Sequence, residues 1–526
     1  MRSMRTLTLS KALFAVFVLT VFVLPHVAFA QLPAPFDFGV NSSATAAADG
    51  YVVGQSSASG HNHAFIWSAS TQTMTDIGAA VDTLVPGNLF SLPTSVNSHG
   101  AVVGGALAPD FSTVGFYWSQ ATGLVSLGQL YPNVQQTTIL INENGVVAGV
   151  TSDNRLFRWT LAGGFHYLGN APSSSFPYLS GINANGDIVG GTGDQSVGFV
   201  AFASDNVLTL LTSPGTTAPP TNVGATINVG NVNIQLNGIN DSGVVVGQYW
   251  DYEYIYSVFD NRLGGFANLD VHTSHPFRWS STAGFTDLGS FFVPAQYGVA
   301  GGSANALNSS GTIVGYSFVT NDPFNGLTYD AFSYQGSGPL TPLQAPPNSQ
   351  SQATSLNDDG AIVGSSNGAA VIWQHGVPST ISPSFAPQFP SAAVHQHMLF
   401  GTSFDQNFNA HGWTIALAAA KPVISSVTPS QGLLWPPNKK MVPVSITVVA
   451  TESGAPSPAC RITGVTSNEP GTGEWQITGA LTLTLQADRL GTGNGRIYTI
   501  GVACSDQAGN SATSSTSVVV PHDLGH

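Results

Sequence analysis

The sequence predicts an all-β chain: a β-propeller of eight blades, with seven as the alternative, followed by a β-sandwich. Three observations carry this. A cassette of the form apolar–Asn–x–x–Gly–x–Val–Val–Gly recurs through the first 420 residues at intervals of about fifty. Each interval holds four short strand-like runs, the content of one propeller blade. Near Lys421 the cassette stops, and alternating apolar runs between Pro and Gly turns continue to the C-terminus.

Residues 1–30 stand outside this fold. Arg2, Arg5 and Lys11 flank and precede the apolar run Ala12–Leu24, and Ala28-Phe29-Ala30 is a small-x-small cleavage site before Gln31. This is the pattern of a secretory signal peptide, so the mature chain is expected to be secreted, extracellular or at the cell surface. The apolar run is short for an anchor, and no membrane insertion is expected after cleavage. The chain is acidic, with 13 Lys and Arg against 27 Asp and Glu. Residues 31–420 keep only Arg155, Arg158, Arg262 and Arg278 as bases. Such a surface repels nucleic acid and anionic lipid and accords with a soluble extracellular monomer.

The cassette copies end at Gly104, Gly149, Gly190, Gly247, Gly315 and Gly364, with looser copies ending at Gly54 and Gly401. Strand A precedes the Asn, strand B is the Val run, strand C is aromatic, and strand D is short. In the first unit these last three read Tyr51–Gly54, His63–Trp67 and Met74–Gly78; the fifth restates them with His275–Trp279 and Phe285–Gly289. Asn97, Asn142, Asn183, Asn240, Asn308 and Asn357 are expected to bond their own backbone two residues on. The glycines three residues later suit a positive φ. Strand C closes on Trp67, Trp118, Trp159, Phe202, Trp279, Tyr334, Trp373 and Trp413. Phe65, Phe116, Phe157, Phe277 and Phe332, two residues earlier, share that face. A feature present in every repeat points to packing between blades. The eighth unit lacks a strand D, while the chain begins with Phe36-Asp37-Phe38-Gly39, which reads as a strand D without its A, B and C. Pairing the two would close the ring and remove an exposed edge.

The cassette, followed by His-Ala-Phe-x-Trp and Thr-Asp-Leu-Gly, resembles the HAF family of extracellular repeats over residues 35–415. The full triplet stands at His63-Ala64-Phe65; His275 keeps the His, and units 2, 3, 6 and 7 lack it. The resemblance implies secretion and tandem repeats and brings no catalytic residues.

Insertions gather in the B–C and D–A connections: 248–274, 321–330 and 204–235. These share one face, which marks it as the binding face. In the first, Trp250, Tyr252, Tyr254 and Tyr256 alternate, so an extended strand would form one aromatic face, with Asp251 and Glu253 opposite. Such a patch suits a carbohydrate or a protein partner. Signals of catalysis are poor. Gly364-Ser365-Ser366-Asn367-Gly368 matches G-x-S-x-G but lies between strands, not at a strand-to-helix elbow. The pairs His272/His275 and His395/His397 have no third ligand nearby in the sequence. Asp241, Asp358 and Asp359 lack calcium-loop spacing. No catalytic residue, cofactor or metal is assigned. The expected function is non-catalytic binding, adhesion or matrix formation, with an extracellular glycan or surface protein as partner. The alternative is a polysaccharide-acting propeller enzyme, a lyase or glycosidase, which needs acid and base groups converging on the central channel.

Residues 421–526 balance six bases with six acids. Strand-like runs span Val423–Val427, Val442–Thr451, Arg461–Val465, Trp475–Gln486, Ile497–Cys504 and Ser514–Val520. Cys460 and Cys504 are the chain's two cysteines, and in a secreted protein such a pair forms a disulfide. The runs CSDQAGNSAT and WPPNKKMVPV resemble bacterial immunoglobulin-like and hyalin-repeat-like modules, which implies adhesion or spacing.

Overall fold

A computed structural model describes residues 32–523 apart from short stretches, the longest being 131–138, 215–224 and 321–327. The leader lies outside the described residues. No helix among the described residues is long and apolar enough to cross a membrane.

Eight four-stranded antiparallel meanders make the propeller. Blade 2 is typical, with strands A to D at Phe90–Val96, Val102–Leu107, Thr113–Ser119 and Gly123–Leu130. Blade 8 takes strands A to C from Gln388–His395, Met398–Phe404 and Ala410–Ala416. Its fourth strand is Phe36–Val40 from the other end of the chain, with Asp37 opposite Trp413. Eight apolar clusters each join residues of two neighbouring blades, the last linking Met398 and Phe400 of blade 8 to Val52 and Phe65 of blade 1. The core is therefore a closed annulus, and the eight-blade expectation and its N-terminal closing strand both hold.

The register explains the cassette's last glycine. In seven blades strand A shifts by one residue against strand B. Such a bulge tips one carbonyl out of line. A Cβ on Gly104 would lie 2.2 Å from the Leu92 carbonyl oxygen and 2.6 Å from Phe116 Cζ. On Gly190 it would lie 2.1 Å from the Tyr178 oxygen and 2.6 Å from Phe199 Cζ. Only glycine fits between a bulged strand and an aromatic ring. The same pairings correct two assignments. Trp413 sits opposite Gly401, the place of Phe65 in blade 1, and Ile415 takes the strand-closing position. In blade 4 that position is Ala201, not Phe202. Counting aromatics misplaced both because these blades shift or drop the large residue.

The asparagines do more than shape their own turns. Each Oδ1 accepts the backbone N–H four residues on, as Ala101 to Asn97 at 3.0 Å. The expected bond two residues on is seen only at His99 and Ser242. Each Nδ2 donates to the next blade: Asn97 to the Asn142 carbonyl at 3.1 Å, Asn142 to Asn183 at 2.8 Å and Asn183 to Asn240 at 2.9 Å. Asn240 continues to Asn308, Asn308 to Asn357, and Asn357 to Gln396. At four blade junctions the bulge residues add a second link. Thr45 and Thr94 hydroxyls and Asn237 and Asn305 amides each donate at 2.8 Å to a strand A carbonyl of the next blade.

At the seam, blades 8 and 1 have two-residue hairpins instead, closing at His395–Met398 and Ala48–Tyr51. His397 fills the gap, with Nδ1 at 2.8 Å from Asp49 Oδ1 and Nε2 at 3.0 Å from Asp359 Oδ2. The hydrogen bonds to Asp359 and then to Asp49 outweigh burial and raise its pKa to about 10. A folded pKa above the unfolded value of about 6.5 means that the stabilisation is full below pH 6.5. It is then lost as pH rises through about 10. His397→Gln should therefore lower stability at pH 7 by about 2 kcal/mol, the scale of a charged hydrogen bond. The gap between the two unfolding curves should close by pH 10.5; a gap independent of pH would refute this role for the charge.

Residues 422–523 fold separately around one apolar cluster. One sheet orders Val423–Pro429, Met441–Thr451, Thr482–Gln486 and Trp475–Gly479; the other orders Ala459–Ser467, Gly495–Ser505 and Ser511–Pro521. Val444 and Leu483 of the first share the cluster with Tyr498 and Val518 of the second, so the two sheets form a sandwich. The single strand expected over 475–486 is a hairpin turning at Ala480-Leu481. The disulfide Cys460–Cys504 exists and joins directly opposed residues of one sheet. Arg496 is buried between Glu469 and Glu474.

Candidate functional site

Strands A and the A–B turns of the ring enclose a central cavity of about 530 Å³. Its carboxylates come from the turns and are Glu143, Asp241 and Asp358. Each binds the preceding blade: Ser98 N–H donates to Glu143 at 2.9 Å, Ala184 N–H to Asp241 at 2.8 Å and Ser309 N–H to Asp358 at 2.9 Å. Glu143 also accepts the Ser98 hydroxyl and, at 3.0 Å, the side-chain amide of Gln396 from blade 8. The channel walls are thus knit to one another. His395 lines the cavity and is exposed to it; the surrounding protein lowers its pKa against the opposing pull of Glu143, Asp49 and Asp358. Such a lining can hydrogen-bond a small polar group. One oxygen of each of the three acids accepts a backbone N–H of the preceding blade.

The histidine of the cassette has a structural partner in strand D. His63 Nδ1 lies 2.9 Å from Asp76, His275 Nδ1 2.9 Å from Asp287, and His411 Nδ1 3.0 Å from Asp37. His411 was missed by the triplet because Gly412-Trp413 replaces Ala-Phe. A His two residues before the aromatic, matched to an Asp two before the strand D glycine, is the signal that finds it. At Asp287, burial is opposed by hydrogen bonds from His275 and the Gly289 N–H, and the result is a lowered pKa.

Blade 1 adds to this pair. A helix, Gly78–Leu84, lies in the link from strand D to blade 2 and brings Asp82 to strand C. Asp82 Oδ1 is 3.1 Å from His61 Nε2, and its Oδ2 is 3.3 Å from His63 Nε2. Asn88 Nδ2 donates to Oδ1 at 2.7 Å. Burial acts to raise the Asp82 pKa, but the hydrogen bonds from Asn88 and His61 and the proximity of the His63 and His61 rings lower it on balance. The ligand atoms of His61, His63 and Asp82 lie within 4.8 Å of one another, a set that could hold a metal. The spacing His-x-His was visible in the sequence; the approach of Asp82 depends on the helix and was not.

The fifth blade carries the expected insertion. Val245–Asp260 and Gly265–Ser280 pair along their length, and Ala225–Asn228 adds to the outer part of the first strand. Trp250 lies in an extended strand, half-buried, and a one-residue register shift follows between Trp250 and Glu253. The side chains of Tyr252, Tyr254 and Tyr256, and of His272, lie outside the described residues. Ser365 and Ser366 end a strand that turns through Asn367-Gly368 into the next strand, so no nucleophile elbow forms.

No family model matches the chain, and no curated protein sequence matches it. Among solved structures it is similar to selenomethionine-substituted virginiamycin B lyase from Staphylococcus aureus, with a TM-score of 0.33 and 12% identity, over 62% of this chain and 95% of that one. It is also similar to a catalytically inactive variant of that lyase with quinupristin, with a TM-score of 0.32 and 13% identity, over 62% and 96%.

Proposed function

We propose that the chain is a secreted, non-catalytic surface or matrix protein that binds an extracellular glycan or surface protein on the face of the B–C and D–A connections. The observation that supports this most is the blade 5 hairpin. Its strands run 16 residues each, against 6 and 7 for the same strands of blade 2. At about 3.3 Å per residue the segment beyond Trp250 carries strand pairing roughly 30 Å past the ring. The strand Ala225–Asn228, from the link between blades 4 and 5, adds to it. The chain thus departs most from its own repeat on that face. The HAF-type repeats and the C-terminal module fit a role in spacing and display.

The test is a glycan array and a cell-surface binding assay with the mature chain and with a variant in which residues 251–273 are replaced by a two-residue Asn-Gly turn. Binding by the first and its loss in the second is the expected result. The competing reading is a polysaccharide-acting enzyme centred on His395 in the central cavity. Release of reducing ends that survives hairpin removal and disappears in His395→Ala would establish that reading instead.

A further inference from the structure

We propose that blade 1 holds one divalent metal ion of the zinc class, bound by His61 Nε2, His63 Nε2 and a carboxylate oxygen of Asp82, with a fourth position open towards the loop face. The argument starts from the tautomer of His63. Its Nδ1 lies 2.9 and 3.1 Å from the two oxygens of Asp76, so Nδ1 donates there, and in the neutral imidazole this tautomer leaves Nε2 a lone pair. That Nε2 belongs to a side chain only 2% exposed and has no hydrogen-bond partner. It faces Asp82 Oδ2 at 3.3 Å, which in that neutral tautomer sets an acceptor opposite an acceptor. A cation between them turns this repulsion into attraction.

The dimensions agree. A tetrahedral zinc with bonds of about 2.0–2.1 Å sets its ligand atoms about 3.3 Å apart. The nitrogen-to-oxygen separations are 3.1 Å from His61 Nε2 to Asp82 Oδ1 and 3.3 Å from His63 Nε2 to Asp82 Oδ2, one imidazole at each carboxylate oxygen. The outer shell is also in place: Asp76 orients His63, and Asn88 holds Asp82 Oδ1 at 2.7 Å. A carboxylate behind a ligating imidazole is the usual means of fixing its orientation and raising its basicity. Two imidazoles and one carboxylate suit zinc, and an incomplete protein shell leaves room for water or a ligand oxygen. His61 and Asp82 are the exposed members, at 24% and 33%, so the open position faces outward.

The rest of the ring supplies an internal contrast. His275 and His411 repeat the pairing with a strand D aspartate. The residues two before them are Thr273 and Asn409, where blade 1 has His61. The His–Asp pair therefore belongs to the repeat, while the second imidazole and the Asp82 helix are additions peculiar to blade 1. This inference does not rest on the proposed binding function.

The mature full-length chain, stripped with EDTA and dialysed, is titrated with Zn²⁺ by calorimetry and with Co²⁺ by visible absorption. One equivalent of Zn²⁺ and the intense bands of tetrahedral Co²⁺ are expected. His61→Ala and Asp82→Asn, both at the exposed side of the site, should each weaken binding by about 100-fold or more. Asp76→Asn should retain the stoichiometry and weaken binding about 10–100-fold, as loss of an outer-shell partner does. Far-ultraviolet circular dichroism checks that each variant is folded. Failure of the folded wild-type chain to take up either metal, or uptake unchanged by both His61→Ala and Asp82→Asn, overturns the proposal.

Discussion

Deleting residues 32–40 from the mature chain is expected to abolish cooperative unfolding of the propeller at ambient temperature. The deletion removes Phe36–Val40, the outer strand of blade 8. Phe38 is 7% exposed, with its ring centroid 5.0 Å from that of Phe65, and Phe36 stands 5.1 Å from Trp67. Truncating one buried Phe costs about 3–5 kcal/mol. The deletion takes the buried Phe38 and the half-buried Phe36, unpairs Ala410–Ala416 along one edge, and leaves the buried His411 without Asp37. The sum is comparable with the whole stability of a domain, about 5–15 kcal/mol. Urea unfolding followed by tryptophan fluorescence measures it. A synthetic peptide of residues 32–40 should restore the transition, and a circular permutant joining 417 to 32 should keep it. An unchanged midpoint in the deletion variant would show that the annulus holds without its closing strand.

Gly104→Val should cost at least about 3 kcal/mol, more than ordinary overpacking. Its Cβ would meet a backbone carbonyl at 2.2 Å and a fully buried ring at 2.6 Å. The ring can be trimmed, but the Leu92 carbonyl is held by the bulge. Adding Phe116→Ala should therefore rescue little. Gly123→Ala is the control: that glycine has φ +74° and nothing within 4 Å of a Cβ, so only backbone strain of about 1 kcal/mol is added. Denaturant midpoints of the three variants test this, and equal losses for Gly104→Val and Gly123→Ala would remove the close-approach explanation.

The architecture was legible because its determinants are local and repeated. Turn glycines such as Gly100 and Gly145 do take positive φ, and the Val runs are buried. What escaped depends on a second blade. Asn142 Oδ1 serves its own turn, as local reasoning expects, whereas its Nδ2 bonds a residue 41 positions later. The strand B glycine looked like a boundary mark until the bulged carbonyl of the neighbouring strand gave it a cause. Asp241 and Asp358 read as turn acids, and only the ring brings them to the cavity. His61 was not singled out in the sequence, and Asp82 reaches it and His63 through a helix that the propeller pattern did not announce.

The asparagine circle has a sense of travel. From Asn97 to Gln396 every side-chain amide hands its proton forward, and no link runs backward. A unit copied anywhere within that run would arrive with its own donor for the next neighbour and its own carbonyl for the previous one. Duplication is thus chemically self-sufficient between blades 2 and 7, and curvature alone limits how many copies fit. Blades 8 and 1 differ, because Asp49, Gln396 and His397 form a junction that works once per ring. Growth or loss of units in this chain is accordingly expected between those two blades and not at them.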